Sequence, residues 1–263
     1  DGGGSWQALE SKLPKAPKDG PYVPHIHPSS HAAGRAFLVL DNHRNGDFRP
    51  YAYRIDDFGR SVRSLVTPAI DGYAYALIED PVEPRLLFLG TELGLWASTD
   101  AGASWFRYTH GLPTAVSVMD LAIHPREHDL IIGTHGRGIY IVDDLRPLRA
   151  LAAGTPSAPL TLLAAGDGIL HYVSEGAGAR FPGNGDYAGE NEPSGAMLSF
   201  YVNDPALPHP DPALERERAA PADQEAKAEK VVLTIRDANG ALVRRVDIEP
   251  KQGLNRWVWD LGK

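Results

Sequence analysis

Between residues 35 and 142 the apolar positions fall in short runs of five to seven residues. Residues 35–40 (RAFLVL), 51–55 (YAYRI) and 61–66 (SVRSLV) form one group. Residues 73–79, 86–90, 95–99 and 104–108 form a second, and 117–123, 130–134 and 138–142 a third. Gly, Pro or Asp bounds each run, the pattern of brief β-strands joined by tight turns. No apolar stripe of period 3.6 is sustained, so helices are not predicted there. No fourth run follows the third group before Asp143-Asp144-Leu145-Arg146-Pro147.

Beyond residue 142 the pattern changes. Residues 145–170 are rich in Ala, Leu and Pro and read as an exit linker lying along the strands. Residues 176–195 read as a Gly-rich polar loop, and Met197–Val202 as a strand. Residues 204–230 are biased toward Pro, Ala and charge, a flexible insertion with a short helix near 213–219. Then Val231, Leu233 and Ile235 alternate with Val232, Thr234 and Arg236, and Asp237-Ala238-Asn239-Gly240 makes a hairpin turn, because Asn-Gly tolerates positive φ. Leu242, Val246 and Ile248 continue the pattern. Trp257, Trp259 and Leu261 share one face of the last run.

The first region repeats itself. Asp1-Gly2-Gly3-Gly4-Ser5-Trp6 returns as Asp100-Ala101-Gly102-Ala103-Ser104-Trp105, with a weaker copy at Asp57-Phe58-Gly59-Arg60-Ser61-Val62. Leu87-Phe88-Leu89-Gly90-Thr91 is echoed by Leu130-Ile131-Ile132-Gly133-Thr134. An acid or His before Pro closes an apolar run at Asp80-Pro81 and His124-Pro125, and a third instance is His27-Pro28. A period of about 45 residues is that of one four-stranded propeller blade.

These motifs carry a resemblance. Ser98-Thr99-Asp100-Ala101-Gly102-Ala103-Ser104-Trp105 matches the Asp-box, or BNR, pattern. The stretches DNHRNGDFRPYAYRIDDFG, LLFLGTELGLWASTDAGASW and DLAIHPREHDLIIGTHGRGIYIVDDLRPL resemble the bacterial sortilin-like Asp-box propeller proteins, often labelled glycosyl hydrolases. The resemblance covers roughly residues 1–150. VLTIRDANGALVRRVDI with GLNRWVWDL resembles the Ig-like module that follows such propellers. The expected fold is therefore all-β. A partial β-propeller of about three Asp-box blades over 1–145 leads through a linker and loop over 146–195 to a partial Ig-like β-sandwich over 196–263. Within the repeat, Asp1, Gly3, Trp6, Asp57, Gly59, Ser98, Asp100, Gly102 and Trp105 are expected to be structural: the carboxylate accepts backbone N–H bonds, the Gly allows positive φ, and the Trp packs between sheets.

Composition narrows the function. With 26 Lys and Arg against 34 Asp and Glu, the net charge is −8, and no basic stripe suits nucleic acid. No run approaches a membrane span. Cysteine is absent, which excludes disulfides, Cys-zinc sites and Cys nucleophiles. No cofactor or metal is expected. The chain opens at Asp1 inside a repeat and stops at Lys263 inside a module, so we expect the rest of a longer chain, or another subunit, to complete the propeller. The resemblance implies a periplasmic or extracellular location.

Candidate chemistry follows from blade topology. If the Asp boxes sit between strands 3 and 4, the 2–3 loops lie on the opposite face. Those loops hold Asp41, Asn42, His43, Arg44 and Asp47, then Glu92, then His135 and Arg137. Asp120 enters a first strand on that side. His43, Arg44, Glu92, His135 and Arg137 are the candidate ligand residues for a protein, peptide or glycan, with Glu92, His135 and Arg137 expected to converge. The alternative is glycoside hydrolysis, which needs two carboxylates about 5–9.5 Å apart. Glu92, Asp120, Asp41 and Asp47 are its candidates. An arginine triad like that of sialidases is incomplete, since only Arg44 and Arg137 can be placed here. His25-Ile26-His27 with His31 reads as a surface loop, the zinc alternative lacking a further ligand at suitable spacing. Gly133-Thr134-His135-Gly136-Arg137-Gly138 lies between strands and lacks the following helix of a phosphate loop.

Overall fold

A computed structural model of the chain describes residues 3–168, 192–210, 215–216 and 230–262. Asp1, most of the 204–230 insertion and most of the Gly-rich loop lie outside these residues, as does the helix expected near 213–219 except for 215–216. The chain forms two units, Asp1–Thr155 and Pro156–Lys263.

In the first unit three antiparallel meanders follow one another. The first sheet contains β1 (Tyr22–Pro28), β2 (Ala36–Asp41), β3 (Tyr51–Asp56) and β4 (Ser61–Ser64), hydrogen-bonded in that order. The second contains β5 (Ala74–Glu79), β6 (Leu87–Thr91), β7 (Gly94–Ser98) and β8 (Phe106–Tyr108). The third has three strands, β9 (Val118–Ile123), β10 (Leu130–Thr134) and β11 (Ile139–Val142). The segment read as a loop around His25 and His27 is strand β1. Pro24 and two histidines break its apolar alternation, which conceals it. Asp80-Pro81 follows β5 and His124-Pro125 follows β9, but His27-Pro28 lies within β1. The N–H groups of Asp80 and His124 bond back to the Leu86 and Asp129 carbonyls, and the corresponding bond in the first blade runs from the Ser29 N–H to the Arg35 carbonyl.

First strands lie beside one another: β1 and β2 pack on β5, and β5 and β6 pack on β9. Meanders stacked through their first strands surround a common axis, so the three sheets are successive blades of a partial β-propeller. Side chains alternate between the two faces of each blade. Phe37, Val39 and Ala52 face the second blade and meet Ala74, Leu77, Leu89 and Trp96. Leu38, Leu40, Tyr51, Tyr53 and Ile55 face the other way and are covered by Leu9, Leu13 and Ala16. At the next junction Gly90 makes room for β9: a Cβ there would stand 2.7 Å from Val118, the close approach for which a strand uses glycine.

The aspartate turn between β7 and β8 is held by its own side chains. Asp100 accepts bonds from the Ser104 N–H at 2.8 Å, the Ser104 hydroxyl at 2.6 Å and the Ser98 hydroxyl at 2.8 Å. Ser98 Oγ accepts from the Gly102 N–H at 2.8 Å, and Gly102 has a φ of 83°. Trp105 is buried and its Nε1 donates to the Leu65 carbonyl, 2.8 Å away between the first two blades. The turn at Asp57–Gly59 sits at the equivalent place between β3 and β4, but among the described residues the Asp57 carboxylate accepts no hydrogen bond. Its neighbour Asp56 instead pairs with Arg35 and Arg54, each at 2.7 Å. Trp6 is 91% exposed, bonded to the Gly3 carbonyl at 3.0 Å.

The segment read as an exit linker begins with helix α1 (Arg146–Ala153), within the first unit. Pro147 suits its first turn, where the missing N–H costs nothing. Arg149 faces inward: its Nε lies 3.0 and 2.9 Å from the two oxygens of Asp80, and its Nη1 lies 2.9 Å from His128 Nδ1. Asp80 is fully buried and also accepts from the N–H groups of Val82 and Glu83.

Among the described residues the second unit holds two small antiparallel sheets. One contains β12 (Leu160–Leu162), β13 (Ala196–Val202) and β16 (Gly253–Trp259) in that order. The other is a hairpin of β14 (Val231–Arg236) and β15 (Leu242–Ile248). The turn forms as expected at 237–241, Asp237 accepting from the Asn239 and Ala241 N–H groups. Strand β16 ends at Trp259, and Leu261, with a φ of 61°, lies beyond it. No helix among the described residues is long and apolar enough to cross a membrane.

Two outcomes follow. Arg149→Ala leaves the buried Asp80 carboxylate without its cation and should cost roughly 3–5 kcal/mol, read as a lowered denaturation midpoint; an unchanged midpoint would contradict the arrangement. At Asp100 burial works to raise the pKa, but the bonds from Ser104 and Ser98 outweigh it and hold the carboxyl below its ordinary value. A folded pKa below the unfolded one contributes stability that is present above about pH 4 and lost as pH falls through the folded value. Thermal midpoints of the parent should therefore drop more steeply below about pH 4 than those of Asp100→Asn. Parallel curves would show that the turn does not depend on the ionised carboxylate.

Candidate functional site

Antiparallel order sorts the loops onto two faces. The Asp100 turn caps the lower end of β7 and Glu92 caps its upper end, so the two lie on opposite faces. A cavity of about 670 Å³ opens on the upper face. The first blade contributes Tyr22, Pro24, Asp41, His43 and Arg44 to its lining, the second Tyr73, Tyr75 and Glu92, and the third Ser117, Met119 and His135. All belong to the starts of first strands, the ends of second strands or the 2–3 loops.

The blade repeat explains the convergence. Val39, Gly90 and Gly133 hold equivalent positions, two residues before Asp41, Glu92 and His135. The last three therefore project toward the same space from successive blades. The backbone repeats this register. The Glu92 N–H donates to the Tyr73 carbonyl and the His135 N–H to the Ser117 carbonyl, both at 2.9 Å. Thr91 Oγ1 donates to the Gly94 carbonyl at 3.2 Å and Thr134 Oγ1 to the Gly138 carbonyl at 2.6 Å, closing the two loops alike.

Asp41 is 5% exposed. Both its oxygens lie 2.7 Å from His43 Nδ1, and Oδ1 also accepts the His43 N–H at 3.0 Å. A carboxylate only accepts, so Nδ1 carries the proton and Nε2 is left for other partners. The imidazole stacks on Tyr73 at 4.5 Å between ring centres. Tyr75 stands edge-on to Tyr73 at 5.1 Å, its hydroxyl donating to that of Tyr73 at 3.0 Å. Burial pushes the Tyr73 hydroxyl above its usual pKa, helped by the Tyr75 bond and by the charges of Glu92 and Asp41. Both carboxylates thus act on one phenol at the cavity floor.

The remaining candidates are placed differently. Asp47 is locked to Arg49 by two contacts of 2.8 Å and accepts the Tyr51 hydroxyl at 2.6 Å. The Arg49 guanidinium holds its carboxyl well below the usual range. Asp120 caps the adjacent Leu121 N–H at 2.9 Å and does not line the cavity. Arg137 does not line it either, so Glu92 and His135 come together without Arg137. Six lining residues, Tyr22, Pro24, Tyr73, Tyr75, Ser117 and Met119, were not among the sequence candidates. They sit where first strands begin, a position that the topology of the 2–3 loops already implied. Among the described residues no group of three potential ligands could hold a metal. His25 Nδ1 accepts the Leu77 N–H at 3.2 Å, and His31 Nε2 lies 2.8 Å from the Asp80 carbonyl oxygen.

The fold and the cavity define an all-β chain of successive propeller blades with a tyrosine-walled polar site on one face. No protein-family model and no curated protein matches the sequence. Solved structures do. One is the GH74 enzyme of Niastella koreensis, 22% identical with a TM-score of 0.39, covering 46% of this chain and 21% of that one. Another is an ancestral GH74 enzyme, 19% identical with a TM-score of 0.38, covering 50% of this chain and 15% of that one. A third is the GH74 xyloglucanase of Xanthomonas campestris, 15% identical with a TM-score of 0.38, covering 68% of this chain and 27% of that one. The chain therefore spans well under a third of the length of each.

The Asp41–His43 contact is directly testable. Asp41→Ala removes the acceptor that fixes Nδ1–H, so the neutral ring should shift toward its Nε2–H tautomer. Ring ¹⁵N chemical shifts read this; a spectrum unchanged from the parent would show that Asp41 does not orient His43.

Proposed function

We propose that this chain is the ligand-binding part of an exported Asp-box propeller, carrying an Ig-like module, and that its upper cavity binds a glycan. The observation that carries this reading is the cavity wall. Tyr22, Tyr73 and Tyr75 offer ring surface and hydroxyls beside the carboxylate of Glu92 and the free Nε2 of His43. Apolar faces with a few fixed polar groups are what a small-molecule site needs, and a pyranose presents C–H faces to rings and hydroxyls to acceptors. The immobilised His43 adds an acceptor whose orientation is set before the ligand arrives.

Hydrolysis is the second reading, and one observation favours it: Asp41 and Glu92 line the same cavity. Against it, both oxygens of Asp41 are occupied by His43, whereas a glycosidase needs one carboxylate as acid and another free to act as nucleophile or base. The two readings separate in one experiment. The chain is run through gels containing individual polysaccharides, and the same polysaccharides are assayed for new reducing ends. Retardation without release is expected, and Tyr22→Ala, which removes a ring that is 59% exposed, should weaken it about fivefold, the scale of about 1 kcal/mol of ring burial. Release of reducing ends that disappears in Glu92→Gln would establish the hydrolase instead. Retardation by no polysaccharide would leave a peptide or protein ligand.

A further inference from the structure

Resting on the glycan reading, we propose that the cavity selects an acidic oligosaccharide, one whose sugar units carry a carboxylate, and that Arg44 is the residue that recognises it. Several charged groups near the cavity already have partners. The carboxylate of Asp41 is spent on His43, and Asp47 and Arg49 neutralise each other. Arg44 lies between these pairs in sequence and forms no ion pair among the described residues. Its guanidinium is instead laid over the Tyr22 ring, 5.8 Å from the centroid. That contact orders the side chain at the rim without consuming its five donors.

The loop beneath Arg44 is built to hold it there. His43–Asn45 form one turn of 3-10 helix, closed by a left-handed Gly46 with a φ of 79°. Asn42 Oδ1 accepts from Asn45 Nδ2 at 2.8 Å, and the Asn42 carbonyl accepts the Asn45 N–H at 2.9 Å. An unpaired guanidinium on a pre-ordered loop matches a planar carboxylate with two parallel bonds.

Glu92 fixes the polarity of the bound ligand. It stands on the second blade with no ion pair among the described residues, and it would repel a carboxylate placed beside it. A uronate thus turns its carboxylate to Arg44 and its hydroxyls to Glu92 and His43 Nε2. A neutral sugar satisfies only the second set.

The test uses one oligogalacturonide and the same oligosaccharide after reduction of its carboxylates to hydroxymethyl groups, so that length and linkage stay constant. Titration calorimetry should give at least tenfold tighter binding of the acidic form. Arg44→Gln should bring the ratio of the two affinities to about one, whatever it does to both together, and Arg44→Lys should restore part of the preference. Equal affinity of the parent for both forms, or a preference that survives Arg44→Gln, overturns the inference and leaves the glycan reading standing. Binding of neither form while a peptide with a free C-terminal carboxylate binds through Arg44 overturns both, and so does binding of no probe at all.

Discussion

The Trp105 indole bonded to the Leu65 carbonyl is the contact on which the blade arrangement turns. Leu65 lies in the link that leaves the first blade, and Trp105 closes the aspartate turn of the second. One side chain therefore joins a local turn to the junction between sheets. Its environment leaves little slack: a Cβ on Gly102 would fall 2.9 Å from the Leu65 side chain. The Asp100 bonds set the turn, the turn aims the indole, and the indole fixes the spacing of two blades. That spacing in turn decides which upper loops can face each other across the cavity.

This explains why the repeat and the site lie at opposite ends of the same strands. The lower end is tied by buried charge and hydrogen bonds, the Asp100 turn and the Arg149–Asp80 pair among them. With one end fixed, strands of five or six residues carry the register to the other, where the second strands end at Asp41, Thr91 and just short of His135. The upper loops are then free to differ in length and chemistry. The first blade uses a nine-residue excursion, from 42 to 50, that supplies His43 and Arg44. The second uses a two-residue hairpin that supplies Glu92 alone.

Much of this was legible in the sequence, for identifiable reasons. The apolar runs from 35 to 142 match the strands within one residue, apart from two residues at the end of β4 and at the start of β8, because each run is bounded by Gly, Pro or Asp. Opposite faces for Glu92 and Asp100 follow from hairpin order alone. Strand β1 was illegible as a strand because Pro24 and two histidines break its apolar alternation, and His25 meets its partner, the Leu77 N–H, across the blade junction in β5. Helix α1 was illegible because eight residues give too short a periodic signal, and its inward Arg149 looks polar until Asp80 is seen opposite. At Asp57 the motif spelling is present and a turn forms between β3 and β4, but Asp56, one residue earlier, takes the arginines.

The cavity shows why a candidate set drawn from charged residues alone is incomplete. Loop position points to one face, yet charge does not distinguish a group held in reserve from one already satisfied. Asp47 and Asp41 look equivalent in sequence, both acidic residues of one loop. In the structure Asp47 serves Arg49 and Tyr51, whereas Asp41 serves an imidazole that has a second nitrogen to offer. The difference is set by the neighbours two residues on, an arginine in one case and a histidine in the other. An arginine ends the chain of partners, since it has donors only. A histidine extends the chain by one further atom, and it is that extension, directed over Tyr73, that turns a buried carboxylate into part of a binding surface.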